Sequence, residues 1–216
     1  SGENTPILLA KEYDRLKNDA IPPFLIDNKI HFETKKDCFG ELVKCWLQYF
    51  DLGNLSLSGN SGLVEVNINN HNIVDVGFGV SQALPIIVQG LYMTKDQSLL
   101  LEQPEIHLHP EMQLQMADFL IALAKNEKNI IVETHSDHFV NRIIHRVMQN
   151  YEELNDLINI YIVEKNEDEN YSTVRLKEIN KYKGTERDKN KFFFTQYDSE
   201  ITDIVDTGLS NMLENS

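Results

Sequence analysis

The sequence predicts an α/β protein built on a parallel sheet, with a small α+β extension toward its C-terminal end. Apolar runs at Ser98–Leu101 and Ile130–Val132 are each followed by a helix-length segment whose apolar residues recur three and four apart. Strand, helix, strand, helix at these lengths gives βαβ units with parallel strands. Both runs end on acids, Glu102 and Glu133, at the strand ends where open α/β sheets bind their ligands. The extension rests on two more strand-like runs, Ile160–Val163 and Ser172–Ile179, on either side of an acidic turn at Glu164–Asn170.

Ser1-Gly2 reads as a cloning scar. Ile7–Asn18 predicts an amphipathic helix closed by the break at Ile21-Pro22-Pro23. Asp37–Phe50 predicts a second, because Phe39, Leu42, Val43, Trp46, Leu47 and Phe50 fall on one helical face and place Trp46 in the core. Asp51–Gly62 is rich in Gly, Ser and Asn and reads as a loop; its Gly59-Asn60-Ser61-Gly62 is a turn, since no Gly-Lys-Ser/Thr follows. Leu63–Ile68 alternates as a half-exposed strand, and Asn69–Asn72 turns it into Ile73–Val76 as a hairpin.

Val80–Met93 predicts an apolar helix with Pro85 in its first turns. Pro110 opens a helix running to about Lys125, with Met112, Met116, Phe119, Leu120 and Leu123 on its core face and the methionines as filler. Ser136 is placed to cap the next helix, which carries Phe139, Val140, Ile143, Ile144 and Val147. Beyond the C-terminal strands we expect a charged loop at Lys181–Lys191, an apolar clasp at Phe192–Gln196 and a closing acidic helix at Ser199–Leu213.

At 216 residues with 41% hydrophobic and 25% charged residues, the chain is an ordinary globular protein with enough length for a core. It has no signal peptide and no apolar run long enough to span a membrane, so we expect a cytoplasmic protein without membrane contact. Cys38 and Cys45, two turns apart on one predicted helix, are too distant for a disulfide and read as buried small hydrophobes. A net charge of -14 argues against a broad basic surface, so contact with nucleic acid would come through a local patch, a missing region or a partner.

Three stretches carry the chemistry. Asp75-Val-Gly-Phe-Gly-Val-Ser-Gln82 sets two glycines before a helix N-terminus, a natural anion site. Ser98–Pro110 runs Leu-Leu-Leu-Glu-Gln-Pro-Glu-Ile-His-Leu-His-Pro after its serine, so an acid at a strand end could hold the water shell of a phosphate-bound Mg²⁺. The third, Glu133-Thr-His-Ser-Asp-His-Phe139, repeats the design at the next strand.

In this order the three motifs resemble the C-terminal half of a prokaryotic AAA-type ATPase with ABC/SMC-like architecture, related to the OLD family. The resemblance is strong over roughly Asn72–Arg146. It implies a parallel-sheet ATPase lobe at residues 63–158, preceded by an N-terminal helical segment at 1–62 and followed at 159–216 by a small domain similar to one that often ends such ATPases. It further implies a signature motif at Gly77, Gly79, Ser81 and Gln82, a Walker B strand at Leu99–Glu102, a D-loop-like turn at His107–Pro110 and a switch histidine at His135. The implied cofactors are ATP and Mg²⁺, with Glu102 as the metal-supporting acid.

The chain departs from the family pattern at two points. The Walker B pair, usually Asp then a catalytic Glu, is here Glu102 and Gln103; Gln103 orients a water but cannot take its proton, so the usual base is missing from its position, and either Glu105 substitutes for it or hydrolysis is slow. No Gly-x-x-x-x-Gly-Lys-Ser/Thr occurs in the 216 residues. The family carries that P-loop near its N-terminus, so the chain is expected to be a C-terminal fragment, inactive alone. An N-terminal P-loop lobe would be its partner, and the complete protein would be a homodimeric ATP hydrolase with the signature of one subunit over the ATP of the other. Two alternatives stay open. One is a metal-dependent phosphoesterase using Glu102, Glu105, His107, His109, His135, Asp137 and His138; the other is a non-catalytic lobe that supplies only its signature surface.

Overall fold

The structure is a computed structural model and describes residues 4–15, 38–58, 65–73, 75, 77–95, 97–166 and 171–181. Ser1-Gly2, the Ile21–Pro23 break, the Gly59–Gly62 turn and the segments expected at Phe192–Gln196 and Ser199–Leu213 lie outside the described residues, as do most of the Glu164–Asn170 turn and of the Lys181–Lys191 loop. The chain divides into two compact units, Ser1–Ile143 and Ile144–Ser216.

The first unit opens with α1 (Thr5–Glu12), which stops earlier than the predicted Ile7–Asn18 and starts earlier because Pro6 is accommodated in its first turn, where a missing N–H costs nothing. In α2 (Phe39–Tyr49) the expected face is buried: Phe39, Leu42, Val43, Trp46 and Leu47. Cys38 departs from expectation by standing outside the helix as its extended N-cap, although both cysteines are free and buried as predicted. Trp46 meets Phe119 edge to face at 4.7 Å, at the centre of the core.

A three-stranded antiparallel sheet follows: β1 (Leu55–Ser58), β2 (Glu65–Ile68) and β3 (His71–Asn72). Here the structure corrects two expectations. Leu55–Ser58 is a strand, not part of a loop, because its alternation of Leu and Ser pairs in register with Ile68–Glu65. The turn is Asn69-Asn70, both at positive φ as a tight two-residue hairpin demands, so the return strand begins at His71 rather than Ile73.

The long apolar helix α3 (Phe78–Tyr92) packs against α1, α2 and α4. It begins two residues before the expected start, which makes Pro85 its eighth residue rather than a first-turn one. The carbonyl this leaves without a helical donor belongs to exposed Ser81, where water can serve. Gly90 lets α4 approach closely: a Cβ there would lie 2.7 Å from Leu123 Cδ1 and 3.0 Å from Phe119 Cζ. Buried Lys128 donates to the carbonyls of Gly90 and Met93 at 3.2 and 2.7 Å, a cation closing the C-terminal end of α3.

The predicted βαβ unit is present. β4 (Ser98–Glu102) and β5 (Asn129–Glu133) pair in parallel, joined by α4 (Pro110–Lys125), whose bounds are those predicted. Leu99, Leu101, Ile130 and Val132 face the core. The other face carries Leu100 and Ile131, side by side in register and mostly exposed. Ser136 caps α5 (Asp137–Gln149): its Oγ accepts from Phe139 N–H at 3.1 Å.

The boundary between the units falls within α5. The second unit contains α6 (Tyr151–Leu154) and an antiparallel pair, β6 (Ile160–Asn166) with β7 (Tyr171–Lys177), as the two strand-like runs predicted. Among the described residues no helix is long and apolar enough to cross a membrane.

Candidate functional site

Side chains alternate along a strand, so Leu99 and Leu101 of β4 and Ile130 and Val132 of β5 go inward and Glu102 and Glu133 share the open face. The two acids are register partners at the C-terminal ends of the two parallel strands, and both are exposed. Two carboxylates side by side in water form an oxygen-rich strand end, the donor chemistry Mg²⁺ takes through its bound waters.

Beyond Glu102 the ladder continues one step, with Gln103 N–H donating to Glu133 O at 2.7 Å. The chain then turns sharply. Gln103 (φ 46°) and His107 (φ 66°) both adopt the left-handed conformation, and the turn is closed by Ile106 N–H to Gln103 O at 3.2 Å and Leu108 N–H to Glu105 O at 3.0 Å. A non-glycine residue there carries a strain of order 1 kcal/mol, tolerated when the surroundings over-determine it, as often at functional sites.

The turn points Glu105 inward. The residue is only 8% exposed; Oε1 accepts the backbone N–H of His135 at 2.8 Å, and Oε2 is buried without a hydrogen-bond partner. Gln113, on the second turn of α4, completes the tie. Its amide donates to Leu108 O at 2.9 Å and accepts from the Ser136 hydroxyl, the same hydroxyl that caps α5. The loops after β4 and β5 are therefore joined twice, by Glu105 to His135 and by Gln113 to Ser136. Nothing in the sequence marked Gln113, one of several polar residues on a helix; Glu133 was visible as a strand-end acid but not as the partner of Glu102.

Of the histidines, His135 and His138 are exposed on the loop after β5 and the first turn of α5. His107 is exposed and lies against the Phe78 ring, centroids 5.3 Å apart. His109 is the N-cap of α4 and accepts from Glu111 N–H at 3.4 Å, bracing its turn. Among the described residues no three His, Cys, Asp or Glu side chains are placed to hold one metal ion.

The glycine stretch begins α3, with Gly77 as N-cap and Ser81 donating its hydroxyl to Phe78 O at 2.9 Å. Gly77, Phe78, Ser81 and Gln82 are exposed, and a Cβ on Gly77 would meet nothing within 4 Å. A Cβ on Gly79 would come 3.4 Å from Met112 and 3.7 Å from His107 O. The glycine stretch and the His-x-His-Pro turn thus abut within one chain.

Residues 7–140 match the AAA ATPase domain family. A solved chain from work on the structural biochemistry of ATP-driven dimerization and DNA stimulated activation of SMC ATPases is similar to this chain at 17% identity and a TM-score of 0.42, over 62% of this chain and 88% of its own length. No curated protein matches the chain.

Proposed function

The chain belongs to the AAA ATPase domain family, and from that premise we propose that it is one lobe of an ATP-hydrolysing site completed by a lobe carrying the P-loop. The observation that supports this most is the strand-end arrangement: Glu102 and Glu133 in register, followed by a strained turn tied through Glu105 to His135. Glu102 supports Mg²⁺ through its water shell, for which an exposed oxygen donor at a parallel strand end is suited. Bound there, the ion would neutralise charge on the nucleotide's phosphates.

Gln103 orients the attacking water by hydrogen bonding, and His135 reaches the terminal phosphate as a hydrogen-bond donor. Glu105 belongs to the same site. Gly77, Gly79, Ser81 and Gln82 form the signature surface that closes over ATP held by a second copy, which makes the working state a homodimer. The first turn of α3, with no side-chain cap and no side chain on Gly77, is the surface such a contact needs. With a net charge of -14, any action on nucleic acid would run through a partner.

The test is Mg²⁺-dependent ATP hydrolysis and ATP-dependent association of this chain joined to its P-loop lobe, with and without Glu102→Gln. Turnover and dimerisation that need ATP, with turnover lost in the variant, support the reading. Equal turnover in both, or a monomer at saturating ATP, overturns it.

A further inference from the structure

We infer that Glu105 is a positioning residue for His135, and that its carboxylate acts through the His135 backbone rather than on the attacking water. The inference rests on the proposed role of His135 at the phosphate. Three observations carry it. A general base must reach the proton it takes, directly or through one water, whereas Glu105 is buried, 8% exposed as a residue, with its Oε2 out of reach of solvent. Its Oε1 is already engaged, accepting the His135 N–H at 2.8 Å. The turn that presents it is held between two left-handed residues, Gln103 and His107, so the carboxylate has a fixed place from which to hold the neighbouring loop.

A carboxylate accepting a backbone N–H makes a stronger, shorter bond than a neutral acceptor does. Placed across the ends of β4 and β5, it couples the position of His135 to the conformation of the turn that begins at Gln103. The second tie, Gln113 to Ser136, holds the next residue of the same loop. His135 is therefore gripped from the β4 side at its backbone while its side chain stays exposed. That is the arrangement for a residue that must meet a ligand with little reorganisation. The buried, unpartnered Oε2 marks a group kept at some cost to stability, as functional positions often are.

Glutamine at position 105 keeps an acceptor oxygen but cannot take a proton, so it separates the two roles. In the chain itself, Glu105→Ala is expected to speed hydrogen exchange of the His135 amide by about tenfold or more, and Glu105→Gln by less than about threefold. Where the alanine variant fails to fold, Glu105→Asp, one methylene too short for the amide, takes its place. In the chain joined to its P-loop lobe, Glu105→Ala lowers kcat by about tenfold with little change in the KM for ATP, Glu105→Gln keeps at least about half of kcat, and Glu105→Ala adds little to His135→Ala.

A glutamine variant as slow as the alanine one makes Glu105 the base and overturns the inference. So does a His135 amide whose exchange ignores Glu105. If His135→Ala itself turns over at the parent rate, it is the proposed role of His135 that fails, and the amide exchange alone then decides whether Glu105 holds this loop.

Discussion

Asp118 in α4 and Arg142 in α5 form a forked ion pair: Arg142 Nε donates to Oδ1 at 3.0 Å and Nη2 to Oδ2 at 2.6 Å. Asp118 is fully buried, and the Tyr49 hydroxyl of α2 donates to the same carboxylate. Three helices thus meet on one charge. Taking away one partner of a buried pair leaves the other uncompensated, and Arg142 keeps about a quarter of its side chain in water, which softens the loss. Asp118→Asn should therefore cost about 2 to 3 kcal/mol of unfolding free energy in urea. Arg142→Met should cost more, since it leaves a fully buried carboxylate without its cation. Equal stability of Asp118→Asn and the parent would mean that packing alone joins these helices.

The glycines divide by what a methyl group would strike. At Gly90 it would meet Leu123 and Phe119 in the core, so overpacking of about 1 to 3 kcal/mol outweighs the roughly 1 kcal/mol that alanine brings to a helix. Gly90→Ala should lower the melting temperature. At Gly77 it would meet nothing, and the backbone there (φ -56°) suits any residue. Gly77→Ala should leave the melting temperature unchanged within about 2 °C while weakening ATP-dependent association of the chain with its P-loop lobe. A Gly77→Ala protein that associates normally would remove this glycine from the signature surface.

What the sequence showed and what it hid divides along the same physical line. The β4, α4 and β5 elements were legible because their signals are local: apolar runs bounded by acids, Pro110 at a helix start, Ser136 as a cap. Leu55–Ser58 was hidden because Gly, Ser and Asn around it read as loop, and only its pairing with Glu65–Ile68 makes it a strand. The motif order pointed to the strand-end acids. It could not show that Gln103 and His107 are left-handed or that Glu105 turns inward, because those conformations come from the packing of one loop on another rather than from local preference.

Burial in α2 pushes the Cys45 thiol up to about 11 from its usual 9, with Glu41 adding to the effect. The folded state then holds its proton where the unfolded chain releases it. This contribution to stability is complete below about pH 9 and is lost as pH rises through about 11, because the unfolded state binds fewer protons in that window. Native protein at pH 8 should react slowly with a thiol reagent at Cys45 and quickly once unfolded in urea. Cys45→Ser should lessen the fall in stability between pH 9 and 11. Rapid labelling of the native protein at Cys45 would show that α2 opens readily.

Gln103 stands where the resemblance expects a catalytic glutamate, one residue past Glu102 and joined through its N–H to Glu133 O. The left-handed backbone there treats Glu and Gln alike, since the strain arises at Cβ and not at the end of the side chain. Gln103→Glu therefore exchanges an amide for a carboxylate in an otherwise unchanged turn, and the melting temperature should move by no more than about 2 °C. In the chain joined to its P-loop lobe the new carboxylate can take the proton of the water that Gln103 is proposed to orient. General-base assistance is worth on the order of a hundredfold, so kcat for ATP should rise by about that factor. The gain should disappear when Glu102→Gln is added, because a base accelerates nothing if the acid proposed to support the metal is gone. If Gln103→Glu leaves kcat unchanged while Glu102→Gln abolishes turnover, the side chain at 103 does not face the attacking water. If both variants turn over at the parent rate, the end of β4 is not where hydrolysis occurs.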